Sequence, residues 1–273
     1  MSATVKGIEA RIDPRTERTA ARRQGSVAVI PVFGVITPRP SILEFYGLTI
    51  STQTIGQRVR EAVADPDVKA IVLDVDSPGG AVSGVSELAA ELRGLRGAKP
   101  IVAHADYLVA SAAYWIAAQA DEIVASPSAR VGSVGVYGMH VDQSGMLQQL
   151  GLKVSLIGEP AEKIEGNPFE PLGEDAEAHM RSSVAQELAT FRADVVAGRP
   201  QSTVSDAWAR VHTAKDAKAM GMVDKIRTMS ETLGAYGIDQ ARAAQAGRQR
   251  ATELRSAQLN AALAEFQSLG VSV

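Results

Sequence analysis

The chain has 273 residues, 45% of them hydrophobic and 22% charged, with a net charge of −3. That is enough to bury a sizeable core in one large domain, or in one domain with an appendage, and the charge marks no binder of nucleic acid or anionic membrane. There is no cysteine, which excludes a disulfide framework, a thiolate zinc site and a cysteine nucleophile.

Residues 1–25 are polar and charged, lack the apolar run of a signal peptide, and read as an arm. VAVIPVFGVIT (27–37) is β-branched and apolar, a buried strand. Residues 38–51, with Pro38 and Pro40, read as a surface loop or flap. Over 50–68, a Ser/Thr start, apolar Ile55, Val59 and Val63, and a stop at Asp65–Pro66 predict a helix. KAIVLDVD (69–76) is a strand that runs into a Pro-Gly-Gly turn. Val85, Leu88, Leu92 and Leu95 give one apolar face to a helix over 83–99. PIVAHAD (100–106) is a strand, and Ser111 opens a third helix.

DEIVAS (121–126), GSVGVYGM (132–139) and LKVSLIG (152–158) read as further strands. A long helix with an acidic start spans 174–197, and another over 213–226 ends at Gly221 before a short strand. Residues 238–267 are rich in Ala, Gln and Arg with a thin apolar stripe, a helical tail that is solvated or binds a partner. Strands alternating with helices imply βαβ crossovers and an α/β fold with a mostly parallel sheet. The expected division is an arm (1–25), a core domain (26–237) and a tail (238–273). The longest apolar stretch, around 107–120, is too short and too rich in Ala to span a bilayer, so no membrane anchor is expected.

The chemistry centres on Ser111, in YLVASAAYWIAAQADEIVAS (107–126). A hydroxyl at a helix start, flanked by Ala110, Ala112 and Ala113, leaves room for a substrate backbone. The Pro-Gly-Gly turn offers N–H groups for an oxyanion, and the Gly-rich strand at 132–138 completes the parts of a serine acyl-transfer site. Such a nucleophile needs a proton acceptor, by habit a histidine oriented by a carboxylate. None of His104, His140, His179 and His212 lies in a site-like context, nor do they have metal-ligand spacing. His104 falls mid-strand, a core or edge residue. The other solution is a lysine whose ammonium is desolvated. Lys163, in the Pro- and Gly-rich loop GEPAEKIEGNPFEPLG (158–173), is the candidate, since such a loop can fold over a cleft and carry one long side chain inward. Asp74 and Asp76, at a strand end beside a turn, read as turn caps.

VAVIPVFGVI, IVLDVDSPGG, YLVASAAYWIAAQADEIVASPSARVGSVGV and EPAEKIEGNPFEPL occur in this order over about residues 26–226. In these pieces the chain resembles the signal peptide peptidase A family of Ser-Lys proteases, and NPFEPL resembles its phage branch, the head maturation proteases. The resemblance implies the βαβ superhelix of the caseinolytic proteases and crotonases. It implies Ser111 as nucleophile, Lys163 as general base, and Ser133 as the residue that orients the lysine. Gly79, Gly80 and the Ala112 N–H would form the oxyanion hole. Ser-Ala-Ala at 111–113 departs from the family's Ser-Gly-Gly but keeps the side chains small.

The sequence thus reads as a soluble serine endopeptidase without metal or cofactor, either a phage capsid or prohead maturation protease or a cytoplasmic relative. Its substrate would be an extended peptide, laddered on Ala81 and Val82 and on Val134, Gly135, Val136 and Tyr137. Its expected place is the host cytoplasm or the virion prohead, its partners capsid, scaffold or portal proteins, and its assembly a homo-oligomeric ring. Two other readings stay open: a crotonase-like acyl-CoA enzyme, and a non-catalytic assembly or scaffold protein.

Overall fold

The computed structural model describes residues 21–24 and 26–236. The expected tail over 238–273, and the arm up to residue 20, lie outside the described residues. The first five strands are β1 (Arg22–Gln24), β2 (Val27–Phe33), β3 (Val35–Thr37), β4 (Thr49–Ser51) and β5 (Ala70–Ser77). They are followed by β6 (Ile101–Ala110), β7 (Glu122–Ala125), β8 (Arg130–Gly132), β9 (Val211–Thr213) and β10 (Lys225–Ile226). The main sheet runs β1-β2-β5-β6-β7-β10, with β8 paired to β6 and β9 to β8; β3 and β4 form a separate pair. The β2, β5, β6, β7 and β10 ladders are parallel, as is β6 with β8, and only β1 and β9 are antiparallel additions. The α/β fold with a mostly parallel sheet is therefore the one expected.

The central strands are apolar almost throughout because both faces are covered. Toward one face, Ile30, Val32, Ile71, Leu73, Val75, Ile101 and Ala103 pack in the main core with helices α1 (Ile42–Phe45) excepted and α2 (Thr52–Ala64), α3 (Val85–Leu95) and α4 (Ala112–Ala117) included. Helix α2 starts where Ser51 Oγ accepts the Thr54 N–H at 3.0 Å, and it buries Ile55, Val59 and Ala62 at helical spacing. The chain then adds α5 (Ser144–Gln149), α6 (Glu174–Gly198), α7 (Ala214–Ala219) and α8 (Met229–Ala235). Leu233 of α8 covers the other face, over Val27, Val29, Val72, Val102 and Val124.

Helix α6 is bolted to α4 by a buried cluster. Trp115 and Phe191 stack with centroids 4.4 Å apart. The Asp194 carboxylate accepts from Trp115 Nε1 (2.9 Å), Ser86 Oγ (2.8 Å) and Arg93 Nη2 (2.8 Å). Arg96 donates to the carbonyls of Gln119, Ala120 and Gly198, which caps the ends of both helices.

Five local expectations are corrected. Residues 22–24 of the arm form β1, on the edge of β2. The strand expected over 27–37 is two strands, broken at Gly34, which has φ +76° and so turns the chain where a side chain would strain it. The stretch 132–139 is strand only to Gly132, and 152–158 has no ladder among the described residues. Fourth, the flap holds the short helix α1 and β4. Fifth, neither aspartate caps a turn. Asp76 accepts the Leu108 N–H across the sheet at 3.2 Å, bridging the register shift between β5 and β6. Asp74 is buried, with Oδ2 3.9 Å from Arg22 Nη2 and Oδ1 unpartnered among the described residues. His104 is a buried core residue, its ring nitrogens 3.0 Å from Thr232 Oγ1 and 3.1 Å from Ser126 Oγ.

Burial, reinforced by Asp106, pushes the Asp74 carboxyl up to about 6. A carboxyl raised above its unfolded value binds its proton more tightly in the native state, so its charge costs stability as pH climbs from about 4 through 6. Asp74→Asn should stabilise the fold by ~2 kcal/mol at pH 7 and by nothing below about pH 4. Burial holds His104 below its ordinary range, with the opposite pH dependence, so the readout is the difference in urea midpoints between the two proteins across pH. A difference independent of pH would show that the Asp74 charge is not the cause.

Candidate active site

Strand β6 ends at Ala110 and α4 begins at Ala112, so Ser111 occupies a one-residue elbow. Its backbone has φ 54° and ψ −125°. Ser111 and Ser133 (φ 57°) are the non-glycine residues at positive φ among the described residues. Such backbone is strained by about 1–3 kcal/mol and persists only where its surroundings impose it. A strand-to-helix elbow of this kind lifts a serine hydroxyl out of the packed layer, and Ser111 is half-exposed although Ala110, Ala112 and Ala113 around it are buried.

The two serines are brought together by the sheet. Ala110 pairs with Gly132 at the end of the β6–β8 ladder, and the Ser111 N–H donates to the Gly132 carbonyl at 3.0 Å. Ser133 is the next residue. Its N–H donates to Arg210 O at 3.0 Å, and that of Val134 to Trp208 O at 2.8 Å. Gly132 has no room for a side chain: a Cβ there would lie 2.0 Å from Arg210 O.

Opposite stands the Pro78-Gly79-Gly80 turn. Gly79 has φ +95°, and a Cβ on it would come within 2.7 Å of Ser111 Cβ and 2.9 Å of Ala112 N. Ile36 N–H donates to Gly79 O (2.8 Å) and Ala81 N–H to Ile36 O (2.9 Å), which lays β3 along the turn. The Gly79 N–H is taken up by Ser77 Oγ at 3.1 Å. The N–H groups of Gly80 and Ala112 have no acceptor among the described residues.

Ser111, Ser133, Gly79, Gly80, Ala81, Gly135, Val136 and Tyr137 line one cavity of about 570 Å³, together with Val35, Pro78 and Ala209. Of these, Val35 and Ala209 were not singled out in the sequence. Val35 follows from the Gly34 break, whereas Ala209 reaches the cavity through pairing distant in the chain. Ala112 and Val134 lie buried just behind the wall, and Val82 packs against the core. None of the four histidines lines the cavity. Among the described residues, no group of three or more His, Cys, Asp or Glu side chains is placed to hold a metal ion, and no helix is long and apolar enough to cross a membrane.

Lys163 is not in the cavity of this chain. It sits exposed on a 3-10 turn, Ala161–Ile164, and the expected inward burial is not met within the single chain. The reason lies in the segment that carries it. From 134 to 173 the chain leaves the sheet, and Tyr137, Met139, Leu152, Val154, Leu156, Ile157 (98% exposed) and Phe169 all face outward. Beside it an apolar groove of about 540 Å³ continues from the Ser111 cavity, sharing Val136 and Tyr137 and walled by Leu172, Met180, Val184 and Leu188.

The model of peptidase family S49 matches residues 94–239, a stretch that holds Ser111, Ser133 and Lys163. The chain belongs to peptidase family S49. Relatives include Capsid assembly protease C of Escherichia phage lambda, 30% identical over 81% of this chain and 50% of that protein. Head-tail preconnector protein GP5 of Enterobacteria phage P21 is 29% identical over 76% of this chain and 42% of that protein. Protease 4 of Salmonella typhi is 32% identical over 79% and 35%. The chain thus spans about half, or less, of the length of these relatives. Among solved structures, an enoyl-CoA hydratase from Polaromonas sp. covers 84% of this chain and 76% of its own at 14% identity and a TM-score of 0.41, a likeness that carries no inference about activity.

The Gly132 position yields a direct test of the elbow. Gly132→Ala must push a methyl into the Arg210 carbonyl, at a residue with φ +147°. It should lower stability by ~2–4 kcal/mol, read as a drop in melting temperature. An unchanged melting temperature would show that β8 and the 208–210 segment are not held as described.

Proposed function

We propose that this S49 member is a serine endopeptidase with Ser111 as its nucleophile. The observation that carries the reading is the strained elbow at Ser111, facing a turn whose Gly80 N–H, like that of Ala112, has no acceptor among the described residues. Ser111 Oγ would add to a peptide carbonyl, and those two N–H groups would hold the oxyanion as charge develops there. The general base would be Lys163, oriented by Ser133. It would take the Ser111 proton, pass it to the leaving amine, and then activate the water that hydrolyses the acyl-enzyme.

The substrate would bind extended along Gly135–Tyr137, whose N–H groups have no backbone acceptor among the described residues. Two relatives carry capsid-assembly and head-tail names, which supports a structural protein of a phage head as substrate, and a place in the prohead or the host cytoplasm.

An exposed base cannot act in a wet loop, and an apolar arm does not stay in water. We infer that a second copy of the chain covers the 134–173 arm and the groove along α6, and that Lys163 of one copy serves Ser111 of its neighbour in a closed homo-oligomer. The domain limits at 26–237 follow the same reading, with the tail outside the catalytic unit.

A fluorophosphonate probe should label wild type and not Ser111→Ala, and cleavage of a peptide library should fall by at least ~10³-fold in either Ser111→Ala or Lys163→Ala. Labelling that persists in Ser111→Ala would refute the nucleophile. Co-expressed Ser111→Ala and Lys163→Ala chains should recover about a quarter of wild-type activity, since that fraction of sites pairs an intact serine with a neighbour's intact lysine. A mixture as inactive as its parents would refute the shared site.

A further inference from the structure

We infer that Ser77 is a positioning residue, whose buried hydroxyl sets the Pro78-Gly79-Gly80 turn so that the Gly80 N–H is left for the substrate oxyanion. The inference rests on the Ser111 reading above and deepens it.

Ser77 ends β5 with no exposed surface. It follows Ile71, Leu73 and Val75 on the core-facing row of that strand, a position at which packing alone calls for an apolar side chain. A hydroxyl buried there costs about 1–3 kcal/mol unless it is bonded, and this one is bonded twice. It donates to the Gly34 carbonyl at 2.6 Å and accepts the Gly79 N–H at 3.1 Å. Both partners are main-chain groups at glycines with positive φ, Gly34 at +76° and Gly79 at +95°. The hydroxyl therefore ties the two turns that leave the sheet beside the cavity, and the Gly34 N–H closes the stitch by donating to Asp76 O at 3.2 Å.

With Gly79 N–H held by Ser77 and Gly79 O by Ile36, both main-chain polar groups of that residue are committed inside the protein. Gly80 is then the first residue of the turn with an N–H to give. The turn has no slack, because Gly79 already packs against Ser111 and Ala112 as closely as a residue without Cβ can. Loss of the hydroxyl leaves Gly79 N–H buried without an acceptor, and the turn relaxes by rotating the peptides on either side. Interactions along the strand edges, which bind the ground state, are untouched by this. Transition-state stabilisation at the oxyanion is not.

The test uses the full chain in its native assembly. Ser77→Ala should lower kcat by about 10–100-fold with KM within about twofold. It should weaken a peptide aldehyde, whose adduct presents an oxyanion, by a similar factor. Ser77→Thr keeps the hydroxyl and crowds the core with a methyl, so it should melt at a lower temperature than wild type yet keep kcat within about threefold. Three results would overturn the inference: kcat and aldehyde affinity unchanged in Ser77→Ala, a Ser77→Thr enzyme as slow as Ser77→Ala, or loss of the folded state in Ser77→Ala by circular dichroism, which would make the hydroxyl a brace for the whole fold. If wild type itself neither cleaves peptides nor takes up the fluorophosphonate, the Ser111 reading fails, and this inference falls with it.

Discussion

A single main-chain hydrogen bond, from the Ser111 N–H to the Gly132 carbonyl, fixes the geometry on which the cavity depends. It is the last rung of the β6–β8 ladder, and it forms at a point where neither strand can continue. Beyond it, Ser111 turns into α4 and Ser133 turns toward Arg210, each through backbone that L-residues avoid. The strain is tolerable because both neighbours are over-determined. On one side α4 is buried throughout and anchored by Trp115 on Asp194. On the other, Gly132 is wedged against the 210 carbonyl. The opposing turn is equally constrained by Gly79 against Ser111. The cavity is thus made of main chain more than of side chains, which suits a site that recognises peptide backbone.

The segment from 134 to 173 obeys different physics. Beyond Val136 its apolar residues, alternating at Leu152, Val154 and Leu156 as strand residues do, find no ladder and no core among the described residues. In an isolated globule this is unfavourable, and it is what an element looks like when its packing partner belongs to another molecule. In the proposed assembly the two halves of the site differ in kind: the first is specified by the sequence acting on itself, the second by the sequence acting on a copy.

That difference also explains how much was legible beforehand. The runs at Val27, Ala70 and Ile101 announced buried parallel strands, and Ile55/Val59 and Leu88/Leu92 announced the helices that cover them, because periodicity and burial have the same cause there. Ser111 at a helix start and the Gly79–Gly80 turn were legible from residue type and order. Periodicity over-reached at 132–139 and 152–158, since an alternating pattern states what a segment would pair with but not whether that partner is in the same chain. It under-reached at Arg22–Gln24, a polar triplet that pairs only because β2 offers an edge, and at Ala209, which lines the Ser111 cavity because β9, just after it, pairs with β8. The hydrogen bonds of Ser77 have no signature in sequence at all, because a serine after an aspartate at a strand end looks like part of the turn.

The triplet Arg22–Gln24 has a consequence of its own. It closes one side of β2, a strand of seven mostly apolar residues, and its outward row is arginine, arginine and glutamine. The opposite margin of the sheet ends in the two-residue β10 with a lysine. An open margin of β-sheet is a template on which any other chain can add itself, and short, charged border strands are how natural sheets discourage this. At high local concentration, the three polar residues would decide whether two such molecules meet through their sheets. Removing them would bare the edge of β2 and turn the chain into one that sticks to itself.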